Sequence, residues 1–70
     1  MDVTDRHVAT ASVGRFFDYE HLSREDMRVI SKQCHDLAEA MIRALPDGPE
    51  LTVGLRKLLE AKDCFVRAAL

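Results

Sequence analysis

From residue 24 onward the apolar positions recur at steps of three and four. Met27, Ile30, Cys34, Leu37, Met41 and Leu45 form one stripe, the spacing of a helix with one buried face. Ser23 suits the N-cap, Asp26 takes a capping-box-like place at N3, and Glu25 favours the positive end of the helix dipole. Pro46-Asp47-Gly48-Pro49 then stops the helix and turns the chain. Pro49 fits the first position of a second helix, with Glu50 in its first turn. The second stripe runs Leu51, Leu55, Leu58, Leu59, Lys62, Phe65, Val66 and Ala69. The pattern predicts an all-α fold: an antiparallel two-helix hairpin over 23–70, with helices at about 24–45 and 50–69 and a turn at 46–49. Residues 1–22 show no sustained period and read as an N-terminal arm or short helix.

Both stripes are wider than one hairpin seam can use, because Ala38, Ile42, Leu59 and Val66 extend them sideways. The excess must be covered by the arm, by another copy of the hairpin, or by both. Length leads to the same place. A chain of 70 residues buries only about 60% of its unfolded surface. Ordering costs of ~1.5 kcal/mol per residue then roughly cancel ~25 cal/mol per Å² of apolar burial. Such chains need a staple, a metal or a partner subunit, and the expectation here is a homo-oligomer.

Composition narrows the alternatives. The chain is 47% hydrophobic and 31% charged with net charge −2, which fits neither a disordered tail nor a basic binder of nucleic-acid polymers. No apolar run approaches the ~18 residues of a membrane span, and no signal-peptide core follows the N-terminus. Cys34 and Cys64 stand thirty positions apart, and His7, His21 and His35 are scattered. That is neither a disulfide framework nor a zinc site, so no metal and no cofactor are expected. The chain reads as reduced and intracellular.

Lys62 is the sharpest anomaly, since helical rotation places it near the centre of the second apolar stripe. A buried ammonium must snorkel, meet a carboxylate of a neighbouring subunit, or meet an anionic ligand. Arg24, Arg28 and Lys32 repeat at i, i+4, i+8 and share one flank of the first helix. An anion between them would relieve their repulsion, and so would Glu20, Glu25 and Asp36 nearby. Arg56–Glu60 and Asp63–Arg67 are compensating i, i+4 pairs, expected as a solvated ladder. In Arg15-Phe16-Phe17-Asp18-Tyr19, one of the two phenylalanines is expected to lock the arm onto the hairpin, and Tyr19 suits a ligand edge.

Catalysis finds little support. Cys34 lies in one apolar stripe and Cys64 about opposite the other, and His35 and Asp36 point along different helical directions. Gly14, Gly48 and Gly54 are isolated, so no phosphate-cradling loop is present. The chain reads as a binder and not an enzyme.

From Phe17 onward the sequence resembles a family of short phage-encoded helical hairpin proteins. Its characterised members are sponges that sequester cyclic nucleotide signals of the bacterial CBASS and Thoeris anti-phage systems. Four segments carry the resemblance: Phe17-Asp18-Tyr19, Leu37-Ala38, the Leu45-Pro46-Asp47-Gly48-Pro49-Glu50 turn, and Leu55-Arg56-Lys57-Leu58-Leu59-Glu60-Ala61. The chain departs at Asp63-Cys64-Phe65-Val66-Arg67, where many members carry a Trp-Ala-Asn segment. The resemblance implies a homo-oligomer, typically a hexamer, working in the host bacterial cytoplasm. Pockets between hairpins would hold cyclic di- or trinucleotides, or cyclic ADP-ribose isomers, without cleaving them. It gives Tyr19 a stacking role and Lys57 a place on the shared run. The expected ligand-binding set is Phe17, Tyr19, Arg28, Lys32, Lys57, Lys62 and Arg67. The alternative function is an oligomeric structural or protein-interaction module with no small-molecule ligand.

Overall fold

The computed structural model describes residues 6–17 and 24–70. Their regular structure is all helical: α1 (Val8–Gly14), a 3-10 turn at Arg15–Phe17, α2 (Glu25–Ala44) and α3 (Pro49–Ala68). No helix among them is long and apolar enough to cross a membrane.

The boundaries follow from local chemistry. The N-cap of α2 is Arg24, whose side chain makes no capping bond. Ser23, the expected cap, lies outside the described residues. Asp26 serves instead as a local acceptor, taking the Met27 N–H at 2.9 Å and the Arg24 guanidinium at 2.6 Å. At the far end α2 stops at Ala44. Leu45 is extended, with φ −120° and ψ 147°, as the ring of a following proline demands of the residue before it. Pro49 opens α3 at the first-turn position where its missing N–H costs nothing.

The core is small: Val13, Phe17, Cys34, Ala38, Ile42, Leu51 and Leu55, with Leu58 and Leu59 packed on its edge. It corrects the expected orientation of α2. The inward edge is Ser31, Cys34, Ala38 and Ile42, while Leu37, Met41 and Leu45 of the predicted stripe are exposed. The physical reason is size. Small side chains at 31, 34 and 38 let α1, the 3-10 turn and α3 approach the α2 backbone closely, which a row of leucines would prevent. The N-terminal segment therefore covers one edge of the wide stripe, and the larger residues remain outside.

Two pins hold that segment. At its start, Arg6 forms an ion pair with Asp47 at 2.9 Å. Arg6 also donates to the carbonyls of Ile42 and Leu45, at 2.9 Å for the latter. A cation at the carbonyl end of α2 meets both the unpaired acceptors and the negative pole of the helix. Asp47 further accepts from the His7 N–H at 3.0 Å and the Thr10 hydroxyl at 3.1 Å. At its end, Phe17 is 0% exposed whereas Phe16 is 53% exposed, so the locking ring is Phe17.

Removing a fully buried aromatic ring costs about 3–5 kcal/mol, and an exposed one within about 0.5 kcal/mol. Phe17→Ala is therefore expected to collapse the urea midpoint while Phe16→Ala leaves it nearly unmoved. Asp47 adds a pH dependence. Hydrogen bonds from Arg6, His7 and Thr10 pull its carboxyl down from 3.8 to about 2. A depressed folded-state value means stability present above the ordinary carboxylate range and lost as pH falls through the folded value. Thermal melts should thus lose stability between about pH 4 and pH 2, and Asp47→Asn should flatten that limb.

Candidate functional site

The cations expected to meet a ligand fall into two groups. Along α2, Arg28 pairs with Glu25 at 2.5 Å and Lys32 with Asp36 at 2.7 Å, and Arg24 pairs with Asp26 at 2.6 Å. All three charges of that flank are answered by carboxylates within one turn. Such exposed pairs contribute little to stability, but of the two ways to relieve the repulsion, an anion or the nearby carboxylates, Glu25 and Asp36 are the ones seen.

On α3 the arrangement differs. The Lys62 ammonium donates to the Phe16 carbonyl at 2.7 Å and lies 5.8 Å from the centroid of the Phe17 ring. Within the chain, its partners are a main-chain oxygen and an aromatic face, where a carboxylate or an anion had been expected. This position makes Lys62 part of the second pin, since it fastens the end of the 3-10 turn to α3 while covering the buried ring. Arg67 donates to the Cys64 sulfur at 3.4 Å, a weak acceptor. The expected Arg56–Glu60 and Asp63–Arg67 ladder does not form among the described residues, where ion pairs involve α2 and the Arg6–Asp47 contact. Lys57 is exposed on α3. Tyr19 lies outside the described residues, and Phe17, wholly in the core, presents no ring face to a solute.

Concavities among the described residues mark the surface. An apolar groove of about 300 Å³ runs between α2 and α3, lined chiefly by Leu37, Met41, Leu45, Leu51, Leu55 and Leu58. A wider depression of about 610 Å³ lies beside the turn, where His7, Asp47, Thr52 and Arg56 meet. The third is a polar notch of about 230 Å³ that brings Lys62 and Arg67 together with Ser31, Asp63 and Val66. Of the expected ligand residues, Lys62 and Arg67 thus share one site, and Arg28 and Lys32 stand apart with their own carboxylates. Ser31 escaped the sequence reading. It stands between Ile30 and the polar Lys32-Gln33, so nothing local marked it, and the rotation of α2 that buries it depends on the fold.

His35 and Asp36, set apart by helical geometry in the sequence reading, meet at 3.1 Å. With Glu39 they bring potential metal-ligand atoms within 4.8 Å of one another. Asp36 is already held by Lys32 at 2.7 Å and Glu39 by Arg43 at 2.8 Å, so the group is knit into a surface ion-pair cluster. Those hydrogen bonds, from Lys32 first and His35 second, lower the Asp36 carboxyl below its ordinary value.

Comparison with family models, with curated proteins and with solved structures finds no match for this chain. The two cysteines illustrate how far local environment separates like groups. Cys34 is buried and Cys64 exposed, and both are free. Burial pushes the Cys34 thiol up, against a smaller opposing pull from Lys62, and the thiolate is the reactive form. A chromogenic disulfide reagent is expected to titrate one thiol per chain quickly and the second only on unfolding. Cys64→Ser should abolish the fast phase and leave the slow one.

Proposed function

We propose that this chain is the protomer of a homo-oligomer of antiparallel helical hairpins that captures a cyclic nucleotide signal without cleaving it. The observation that carries the reading is the apolar groove between α2 and α3. The Leu37–Met41–Leu45 edge is left uncovered by α1, although it continues the same apolar face that α3 packs against. Leu37 and Leu45 are each nearly half exposed, at 49% and 46%, and a contiguous row of this kind marks an association surface. A second copy of the hairpin supplies the complementary face at no cost in sequence, because the same row is present on it. On this reading the open concavities described on one chain become walls of sites shared between chains.

The cyclic nucleotide enters through the types of side chain that border those walls. Lys62 and Arg67 offer cationic donors in one notch. Phe16 offers an exposed ring with Arg15 stacked 5.2 Å from its centroid. Phosphates and bases require those two kinds of contact. The resemblance of the turn and of the Leu55–Ala61 run to phage sponges supplies the class of signal: cyclic di- or trinucleotides, or cyclic ADP-ribose isomers. It also supplies the setting, the cytoplasm of an infected bacterium defended by such signals, and a hexamer as the assembly. Binding and assembly would then stabilise each other by mass action.

The second reading, an oligomeric structural or interaction module without a small ligand, draws on the same groove. Native mass spectrometry after expression beside an active cyclic-nucleotide synthase separates the two. Oligomers that retain a cyclic di- or trinucleotide, released intact on heating, are the expected result. A panel of cyclic di- and trinucleotides and cyclic ADP-ribose isomers that gives no thermal shift would leave only the interaction module, and a degraded ligand would indicate an enzyme. The groove has its own check: the double variant Leu37→Asp, Met41→Glu should sediment as a monomer, and an unchanged mass would place the interface elsewhere.

A further inference from the structure

The polar notch has a feature that the proposed function does not use. Among its lining residues is Ser31, which is 1% exposed and whose hydroxyl has no hydrogen-bond partner among the described residues. Buried hydroxyls are nearly always satisfied, because an orphaned one forfeits its bonds to water. A helical serine usually bonds back to the carbonyl one turn earlier, and this one does not. It therefore has an unspent donor on a residue that lines the notch.

The walls of the notch are also rich in donors. Lys62 spends one of its three N–H groups on the Phe16 carbonyl at 2.7 Å, which leaves two. Arg67 gives one N–H to the weak acceptor Sγ of Cys64 at 3.4 Å, which leaves most of its planar fork. Asp63 is the single acid on the lining, so two cations face one anion. Ser31 from α2 and Lys62 and Arg67 from α3 thus line one notch with a surplus of positive charge.

We propose that this notch is a phosphate subsite, in which Ser31 donates to one oxygen while Lys62 and Arg67 neutralise the charge. Its volume of about 230 Å³ falls below the ~300–1,000 Å³ of pockets that enclose a whole ligand. It takes the phosphate or phosphodiester group and leaves the sugar and base outside. Lys62 is already oriented by Phe16 and the Phe17 ring, so the ammonium is placed before the anion arrives. The choice of a phosphodiester rests on the sponge reading; the anion site itself rests on Ser31 and its two cations.

The test is a titration of the full chain with sodium phosphate, against sodium chloride at matched ionic strength, followed by backbone amide shifts. Phosphate is expected to move the amides of Ser31, Lys62, Asp63 and Arg67 to saturation, and chloride is not. Ser31→Ala should weaken phosphate roughly tenfold, as loss of one charge-assisted hydrogen bond implies, yet melt no lower than the parent because it removes an unsatisfied hydroxyl. Arg67→Gln should lose saturation while leaving the Phe16–Lys62 contact untouched. Shifts that match chloride would overturn the proposal, and so would a Ser31→Ala chain that melts lower and binds phosphate unchanged. A cyclic dinucleotide titrated in parallel tells the two readings apart. Phosphate bound with no cyclic nucleotide bound leaves the notch standing and removes the sponge. A cyclic nucleotide bound as tightly by Ser31→Ala and Arg67→Gln as by the parent does the reverse.

Discussion

The ring of Phe17 is the point on which the three helices depend. It is fully buried, and the 3-10 turn that carries it is what converts a wide helix pair into a three-helix core. Without it α1 would be held by Val13 in the core and by the polar pin at Asp47, whose acceptors remain partly open to water. Burying a phenylalanine is worth ~1.5–3 kcal/mol, more than a partly exposed ion pair usually returns. The polar pin sets register more than it supplies stability, because Asp47 gathers Arg6, His7 and Thr10 about one carboxylate. The two pins therefore divide the work: one fixes where the arm begins, the other holds it down.

Lys62 follows from that ring. Its position on the apolar side of α3 looked anomalous because sequence offers only side-chain partners for a buried ammonium. The partner is the carbonyl of Phe16, and no residue type announces a main-chain acceptor. The same blindness explains why Arg6 and Asp47 were not seen as a pair. They are separated by 41 positions, and local periodicity carries no information about so distant a contact. What periodicity does carry is the existence of two long helices and the proline-bounded turn, since those depend on spacing and on φ restrictions acting within a few residues. It also placed Cys34 inside and Cys64 outside.

The orientation of α2 shows the limit of that signal. A hydrophobic stripe gives a direction and a width, and here the width exceeded the face that the core could accept. The choice between its two edges was made by volume. Ser31 and Ala38 add little apolar area, yet both are buried, at 1% and 0% exposure, because small side chains fit where elements pack together. Leu37, Met41 and Leu45 are larger and lie outside. That exchange left the apolar groove facing solvent, and it turned Ser31 inward beside Lys62. Both candidate functional surfaces thus take their shape from one rotation of one helix: the excess apolar width and the two cations were legible in the sequence, whereas the edge left open and the place of Ser31 were not.

The size of the notch bears on why a chain this short would assemble at all. On the proposed reading one notch would take one phosphate, whereas a cyclic dinucleotide carries two of equal standing, and a single chain would present them with only one counterpart. A twofold pair of chains would present two identical notches, matching a twofold ligand with a twofold site. The groove then has a use beyond covering leucines: it would set the distance between notches, and a ligand of the wrong ring size would leave one phosphate unmatched. Selectivity on such a scheme is geometric, enforced by the helix-to-helix contact and not by any residue touching the bases. Substitutions at Leu37 or Met41, far in kind from any phosphate contact, would then change which cyclic nucleotide is preferred before they abolish assembly.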